Sequence, residues 1–256
     1  MTSGEYQVMS GHSKWATIKH KKGALDAKRG AIFTKLIKEL TVAAKNGGGN
    51  PDANPRLRTV LTKAKEANMP ADNIDRAIKK GTRELPGVSY EEVQYEAYGP
   101  GGVAILIEVL TDNKNRTTAE VRNILEKKAG NMSGAGSVAW QFHKKGLLVV
   151  KKDAADEDKL MSIALDAGAS DFNLSGDVYE ITTEPQDFEK VKKALTDAGI
   201  TPESAEVTKV ASSTAKLSLE QTKSVLALVE ALEDHDDIQN VYSNLDIPDE
   251  VLEQLG

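Results

Sequence analysis

The chain has 256 residues, 39% of them hydrophobic and 28% charged, and it contains no cysteine. That composition supports packed cores throughout, excludes disulfides and thiolate chemistry, and includes no run of about 18 apolar residues that would suggest a membrane span. The formal charge of −6 is unevenly divided: residues 1–83 hold 17 Lys+Arg against 7 Asp+Glu and the remainder 16 against 32, an asymmetry that points to a basic end meeting a polyanion.

Residues 1–8 read as a short extension before a second start at Met9. The N-terminal stretch lacks the apolar core of a signal peptide and carries Glu5, so a reducing, cytoplasmic location is expected. Residues 12–30 form a basic arm leading into a helix, with Lys14, Trp15, Lys19, His20, Lys21, Lys22, Lys28 and Arg29 as candidate contacts to nucleic acid. The helical period continues over 30–45, where Ile32, Leu36, Leu40 and Ala43 make an apolar stripe with Phe33, Ile37 and Ala44 beside it. Lys28, Lys35, Lys38 and Lys45 gather on the opposite side, predicting a core face at Leu36 and a solvent-facing lysine ridge.

Gly47-Gly48-Gly49 ends this helix, and Asn54-Pro55 opens another whose buried face is Leu57, Val60, Leu61 and Ala64. Pro70 opens a third, which buries Ile74, Ala77 and Ile78, stops at Gly81 and presents Arg76, Lys79 and Lys80 outward. Past Pro86 the period changes to two. Strands are predicted over 90–98 and 103–110, a helix over 117–129, and a strand over 137–142. Thr117 or Thr118 is the expected cap of that helix, which leaves Asn113, Lys114 and Arg116 on the preceding loop for phosphate or a base.

From Gly146 the order is strand 146–151, helix 156–167, strand 170–174, strand 177–182, helix 185–198 and strand 204–210, a β-α-β-β-α-β unit of ferredoxin-like type. A strand over 215–219, a helix over 220–233 and a strand over 238–243 follow. That last piece cannot bury its own faces, and the sheet of 88–142 lacks a second helix. Joining the two completes one domain. The expected class is α+β with three domains: a basic helical domain over 12–84, a middle α/β domain from 85–143 with 214–246, and a ferredoxin-like α/β domain, 144–213, inserted in it.

Chemistry beyond binding is hard to place. His12, His20, His143 and His235 show no metal-binding spacing, so neither a metal nor a cofactor is expected. The glycines of 134–136 lie between a helix and a strand, the reverse of a dinucleotide loop, and read as a flexible turn. Glu230, Glu233, Asp234, Asp236 and Asp237 read as a solvated helix end, whose charge would orient the molecule from a place far from the basic face. No catalytic constellation emerges, so the chain is expected not to be an enzyme and to take no small-molecule substrate.

Several blocks taken together resemble the YebC/PmpR family, which includes the mitochondrial translational activators of cytochrome c oxidase. They are Gly11-His12-Ser13-Lys14-Trp15, KHKKGALDAKRGAIFTKLIKEL from Lys19, NPDANPRLR from Asn50, ANMPADNIDRAIKKG from Ala67, YEAYGPGGVAI from Tyr95, LTDNKNRTTAEVRNI from Leu110 and GSVAWQF from Gly136. The resemblance covers 11–142 in order. It implies a helical domain followed by two α/β domains, no catalysis, and one of two roles: a DNA-binding transcriptional regulator, or a ribosome- and RNA-binding translation factor that relieves stalling at proline-rich stretches. The chain itself supplies no helix offering Asn, Gln or Arg to base edges, which weakens sequence-specific readout. A basic arm with Trp15 and His20 suits irregular RNA. Nothing calls for an obligate oligomer, and a monomer is expected.

Overall fold

The structure, a computed structural model, describes residues 25–247, with side chains from Gly30 onward. Three helices come first: α1 (Leu25–Gly47), α2 (Pro55–Glu66) and α3 (Ala71–Gly81). Their core joins Leu40 and Ala43 of α1 to Leu57, Val60 and Ala64 of α2, to Ala77 of α3 and to Met69 between them, with Leu36 and Ile37 only partly buried at its edge. Asn54 ties α1 to α2. Its Nδ2 donates to the carbonyls of Ala43 and Gly48, both at 2.8 Å, and its Oδ1 accepts from Leu57 N at 3.1 Å, so one buried side chain satisfies two carbonyls and one N–H at adjoining helix ends.

α1 and α3 cross closely at Gly81. A Cβ built there would lie 2.4 Å from the carbonyl oxygen of Thr41 and 2.7 Å from Cβ of Ala44. Gly81→Ala should therefore destabilise by about 1–3 kcal/mol, the range for forcing one extra group into a closed contact. Urea denaturation followed by circular dichroism measures it, and an unchanged midpoint would show that the helices separate freely.

The first sheet has the order β3-β1-β2-β9, from β1 (Glu91–Tyr98), β2 (Ala104–Thr111), β3 (Asn131–Ser133) and β9 (Ile238–Ser243). β1 and β2 are antiparallel, with Tyr95 opposite Ile107 and Ala97 opposite Ile105. Helix α4 (Lys114–Lys127) buries Val121 and Leu125, and α7 (Leu219–Glu233) buries Val225, Leu228 and Leu232. The second sheet has the order β5-β6-β4-β7, from β4 (Phe142–Lys151), β5 (Ala169–Ser175), β6 (Val178–Thr183) and β7 (Ser204–Ala211), all antiparallel, the ferredoxin-like arrangement. Helices α5 (Glu157–Ala167) and α6 (Phe188–Asp197) join Leu148, Val150, Tyr179 and Ile181 of this sheet in one core. A short parallel pair, β8 (Ala215–Lys216) with β10 (Leu245–Asp246), completes the elements.

The fold class is thus α+β, a helical region followed by two sheet-containing domains. The strands of the ferredoxin-like sheet fall, in sequence, between those of the first. By backbone contacts, the described residues divide into two units, 25–137 with 223–241, and 138–222 with 242–247.

Four local readings of the sequence are corrected. Residues 137–142 are not a strand: a 3-10 turn occupies Ala139–Gln141 and β4 begins at Phe142. The backbone bond that closes this turn runs from Gln141 N to the carbonyl of Val138 at 3.2 Å, while the Gln141 carbonyl accepts from Ser212 N at 2.7 Å, next to the Phe142–Ala211 pair at the start of β4, and its buried Oε1 accepts from Asn244 Nδ2. The strand expected over 215–219 is only Ala215–Lys216, since α7 starts at Leu219. β3 was not expected, being three polar or weakly apolar residues with no alternation. Finally, α4 starts at Lys114 with Asn113 as its cap, its side chain accepting from Arg116 N at 3.1 Å, while Thr117 turns inward instead.

Candidate nucleic-acid interface

Lysine and arginine side chains bind phosphate only where they are free to reach it, so the first question is which cations the fold occupies. Lys14, Trp15, Lys19, His20, Lys21 and Lys22 lie outside the described residues, and Lys28 and Arg29 fall in the first turns of α1 with their side chains outside them too.

The lysine ridge of α1 does not face solvent as expected. Lys38 is 7% exposed and donates to Oδ1 of Asp237 at 2.5 Å and to the carbonyl of Asp236 at 2.9 Å. Lys35 donates to the carbonyl of Glu233, the last residue of α7. Lys45, on the exposed end of the same side, reaches Ser89 Oγ at 2.9 Å and the carbonyl of Tyr90 at 3.3 Å. The physical cause is the concentration of negative charge at the end of α7: unpaired carbonyls at a helix C-terminus attract cations, and Asp237 adds a full charge. The acidic stretch 230–237 is therefore no distant counterweight to the lysines, because its end lies against them.

Asp237 is the centre of this joint. Its Oδ2 accepts from Thr117 Oγ1 at 2.6 Å, Arg116 Nη2 at 2.7 Å and Thr111 Oγ1 at 3.1 Å. Burial disfavours the charge, but the donors from Lys38, Thr117 and Arg116 outweigh it and hold the carboxyl well below the usual carboxylate range. A depressed folded value means that the unfolded chain binds the proton more readily. The joint's contribution should then be complete above about pH 5 and decline as pH falls through about 4 and below. Urea midpoints measured at pH 7, 5 and 3 should show this decline, and Asp237→Asn should flatten it; a parallel decline in the variant would remove Asp237 from the cause.

Arg116, expected on a free loop, is drawn into the same joint and also pairs with Asp112 at 2.9 Å. Asn113 caps α4, so although all three of that trio are exposed, only Lys114 keeps its side chain without a partner among the described residues. Glu120, His235 and Asp237 bring potential metal ligands within 4.8 Å of one another. These atoms are already engaged: His235 Nδ1 accepts from Asp237 N at 3.1 Å, its Nε2 lies 2.9 Å from Glu120 Oε2, and the Asp237 oxygens take the cations and hydroxyls above. The group works as a hydrogen-bond network.

Among the described residues of the helical region, α2 and α3 carry outward cations, and Arg83 just after α3 is exposed as well. Arg76 and Lys80, four residues apart on α3, are exposed and have no ion-pair partner among the described residues, whereas Lys79 pairs with Asp75 at 2.8 Å. Helix α2 adds Lys63 and Lys65 in its last turn, and Arg58, which bonds the carbonyls of Pro51 and Asp52 at 3.1 Å. The sequence reading missed these three. The helical period that buries Leu57, Val60 and Ala64 already placed them on the outer side of α2. Arg56 is tied instead to Glu39 and Glu92.

Two family models match the chain: the TACO1/YebC protein N-terminal domain over residues 13–84, and the TACO1/YebC second and third domain over 90–245. Among similar proteins, one from Desulfatibacillum aliphaticivorans is 57% identical over 95% of this chain and 99% of its own length. Others come from Acidobacterium capsulatum, 59% identical over 93% and 97%, and Dictyoglomus turgidum, 54% identical over 97% and 100%. All three carry the name "Probable transcriptional regulatory protein". A crystal structure of a conserved hypothetical protein from Aquifex aeolicus superposes with a TM-score of 0.78 at 46% identity, covering 91% of this chain and 97% of that one.

Proposed function

The chain belongs to the TACO1/YebC family, and from that premise we propose that it is a nucleic-acid-binding regulator of gene expression, a DNA-binding transcriptional regulator acting through its helical region, 12–84. The observation that carries this reading is the outward cation set left after the internal joint is made: Arg76 and Lys80 on α3, Arg58, Lys63 and Lys65 on α2. The basic residues of 14–29 and Lys114 are further candidate contacts to nucleic acid. The names of the relatives support a role in regulation. The protein acts without catalysis, as a cytoplasmic monomer. No helix among the described residues is long and apolar enough to cross a membrane.

One observation favours a second reading. α3 carries Asp72 and Asp75 on exposed positions of its first turns, where a groove-reading helix would present donors to base edges. Carboxylates there oppose insertion into a groove and favour contact with phosphates, which RNA and ribosomes also offer. In that reading the protein is a translation factor on the ribosome.

Arg76→Glu combined with Lys80→Glu should weaken binding to a 20-base-pair duplex by about ten- to a hundredfold and reduce the slope of log K against log salt by about two. Fluorescence anisotropy across a salt series measures both, and unchanged affinity at low salt would remove this face from the interface. Co-sedimentation with ribosomes in the presence of excess duplex separates the two readings. A protein stripped from ribosomes by DNA is the regulator; one that stays bound is the translation factor.

A further inference from the structure

The side of α1 richest in lysine is covered in this structure, and what covers it has the chemistry of a phosphate backbone. Lys35 and Lys38 meet the carbonyls of Glu233 and Asp236 and the carboxylate of Asp237. Lys45 meets the carbonyl of Tyr90, and Arg56 meets the carboxylate of Glu92 at 2.5 Å. Val42 lies on the same side and is buried. Each of these polar contacts runs from a cation of the helical region to an oxygen of 89–92 or 233–237. The core shared by the three helices, by contrast, is drawn from residues within 33–78 and includes none of these polar contacts.

Resting on the nucleic-acid reading above, we propose that the joint is an autoinhibitory contact: the acidic segment 233–237 occupies Lys35 and Lys38 on the lysine face of α1, and a polyanion displaces it to gain these two lysines. The seam is graded for such a release. At its outer end Arg56 and Glu92 have side chains 39% and 52% exposed, so salt and competing phosphate weaken them first. At its inner end Lys38 and Asp237 have side chains 9% and 6% exposed and yield last. Binding that requires an opened seam is weakened by the fraction of molecules in which the seam is closed. Loosening the seam should therefore tighten binding, although no residue that touches nucleic acid has changed.

The test uses the full chain, with a 20-nucleotide single-stranded RNA and a 20-base-pair DNA duplex as probes. Asp237→Asn should bind at least one of them about tenfold more tightly than Asp234→Asn, a variant of equal net charge altered at an exposed residue outside the contacts of Lys35 and Lys38. Glu92→Gln, which alters only the exposed end of the seam and leaves no buried charge unpaired, should bind a few-fold more tightly than the unaltered chain. In the unaltered chain, amides of 233–238 should exchange hydrogen faster once the polyanion is bound. If the unaltered chain binds while Asp237→Asn and Glu92→Gln bind no more tightly than their references, and exchange at 233–238 does not rise, the autoinhibitory contact is overturned and the nucleic-acid reading stands. If neither probe is bound by any of the four proteins, the nucleic-acid reading falls and the inference falls with it.

Discussion

Lys38→Met lowers the stability of the unit formed by 25–137 and 223–241 by about 3–5 kcal/mol, the cost of leaving a buried charge without its partner. The loss comes from Asp237, which stays buried with its Oδ1 deprived of its cation, while Arg116, Thr111 and Thr117 hold only Oδ2. The carbonyl of Asp236 loses its donor as well. Methionine nearly matches the lysine stem in volume, so the result reports charge and hydrogen bonding rather than a cavity. Urea denaturation followed by circular dichroism measures it. A change below about 1 kcal/mol would mean that water or Arg116 takes over the vacated oxygen. The sequence alone predicts the reverse, a solvent-facing lysine whose replacement affects binding and leaves stability unchanged. For the same reason the pair Lys35→Glu and Lys38→Glu, which would serve as a binding test on an exposed ridge, here sets a new carboxylate against Asp237 and unsettles the fold.

Leu40→Ala costs about 2–5 kcal/mol, the range for a fully buried leucine cut to alanine. Leu40 is 0% exposed and packs in the core shared by the three helices, whereas Leu36, one turn earlier on the same stripe, is only partly buried at its margin. Leu36→Ala should accordingly lose clearly less than Leu40→Ala. Thermal and urea melts of the two variants under one condition decide the matter. Equal losses would mean that the helical core extends further toward the start of α1 than the burial of its side chains indicates.

The contrast between these residues shows what was legible. Burial of the apolar stripe follows from a period of 3.6, and in α1 Leu40 and Ala43 did turn inward, whereas Leu36 is only partly buried and Ile32, at the start of the stripe, is exposed. The period also assigns the polar side to solvent by default, and there it failed, because α1 is buried on two sides. On its lysine face Lys38 and Val42 are buried, while Lys45 at the end of that face is exposed. Helix starts marked by local chemistry were readable where one residue decides them, as at Asn54-Pro55. The start of α4 was misplaced by three to four residues because Asn113, Thr117 and Thr118 can each cap a helix, and the choice among them is made by Asp237 drawing Thr117 inward.

By itself the sequence determined the main helices and the longer strands, the ferredoxin-like order of the second sheet and the need for residues beyond 214 to complete the first, though not β3 or the turn before β4. Each depends on local periodicity, turn residues and the requirement that an apolar face be covered. It also placed the positive charge at the N-terminal end, since composition needs no coordinates. Only the tertiary structure decided which positive charges can reach a partner. Lys38 and Asp237 are separated by 199 positions, and no period or spacing couples two charges so far apart. They meet because the covering of apolar faces brings α1 to the end of α7, and a charge left there without an opposite would be too costly to bury.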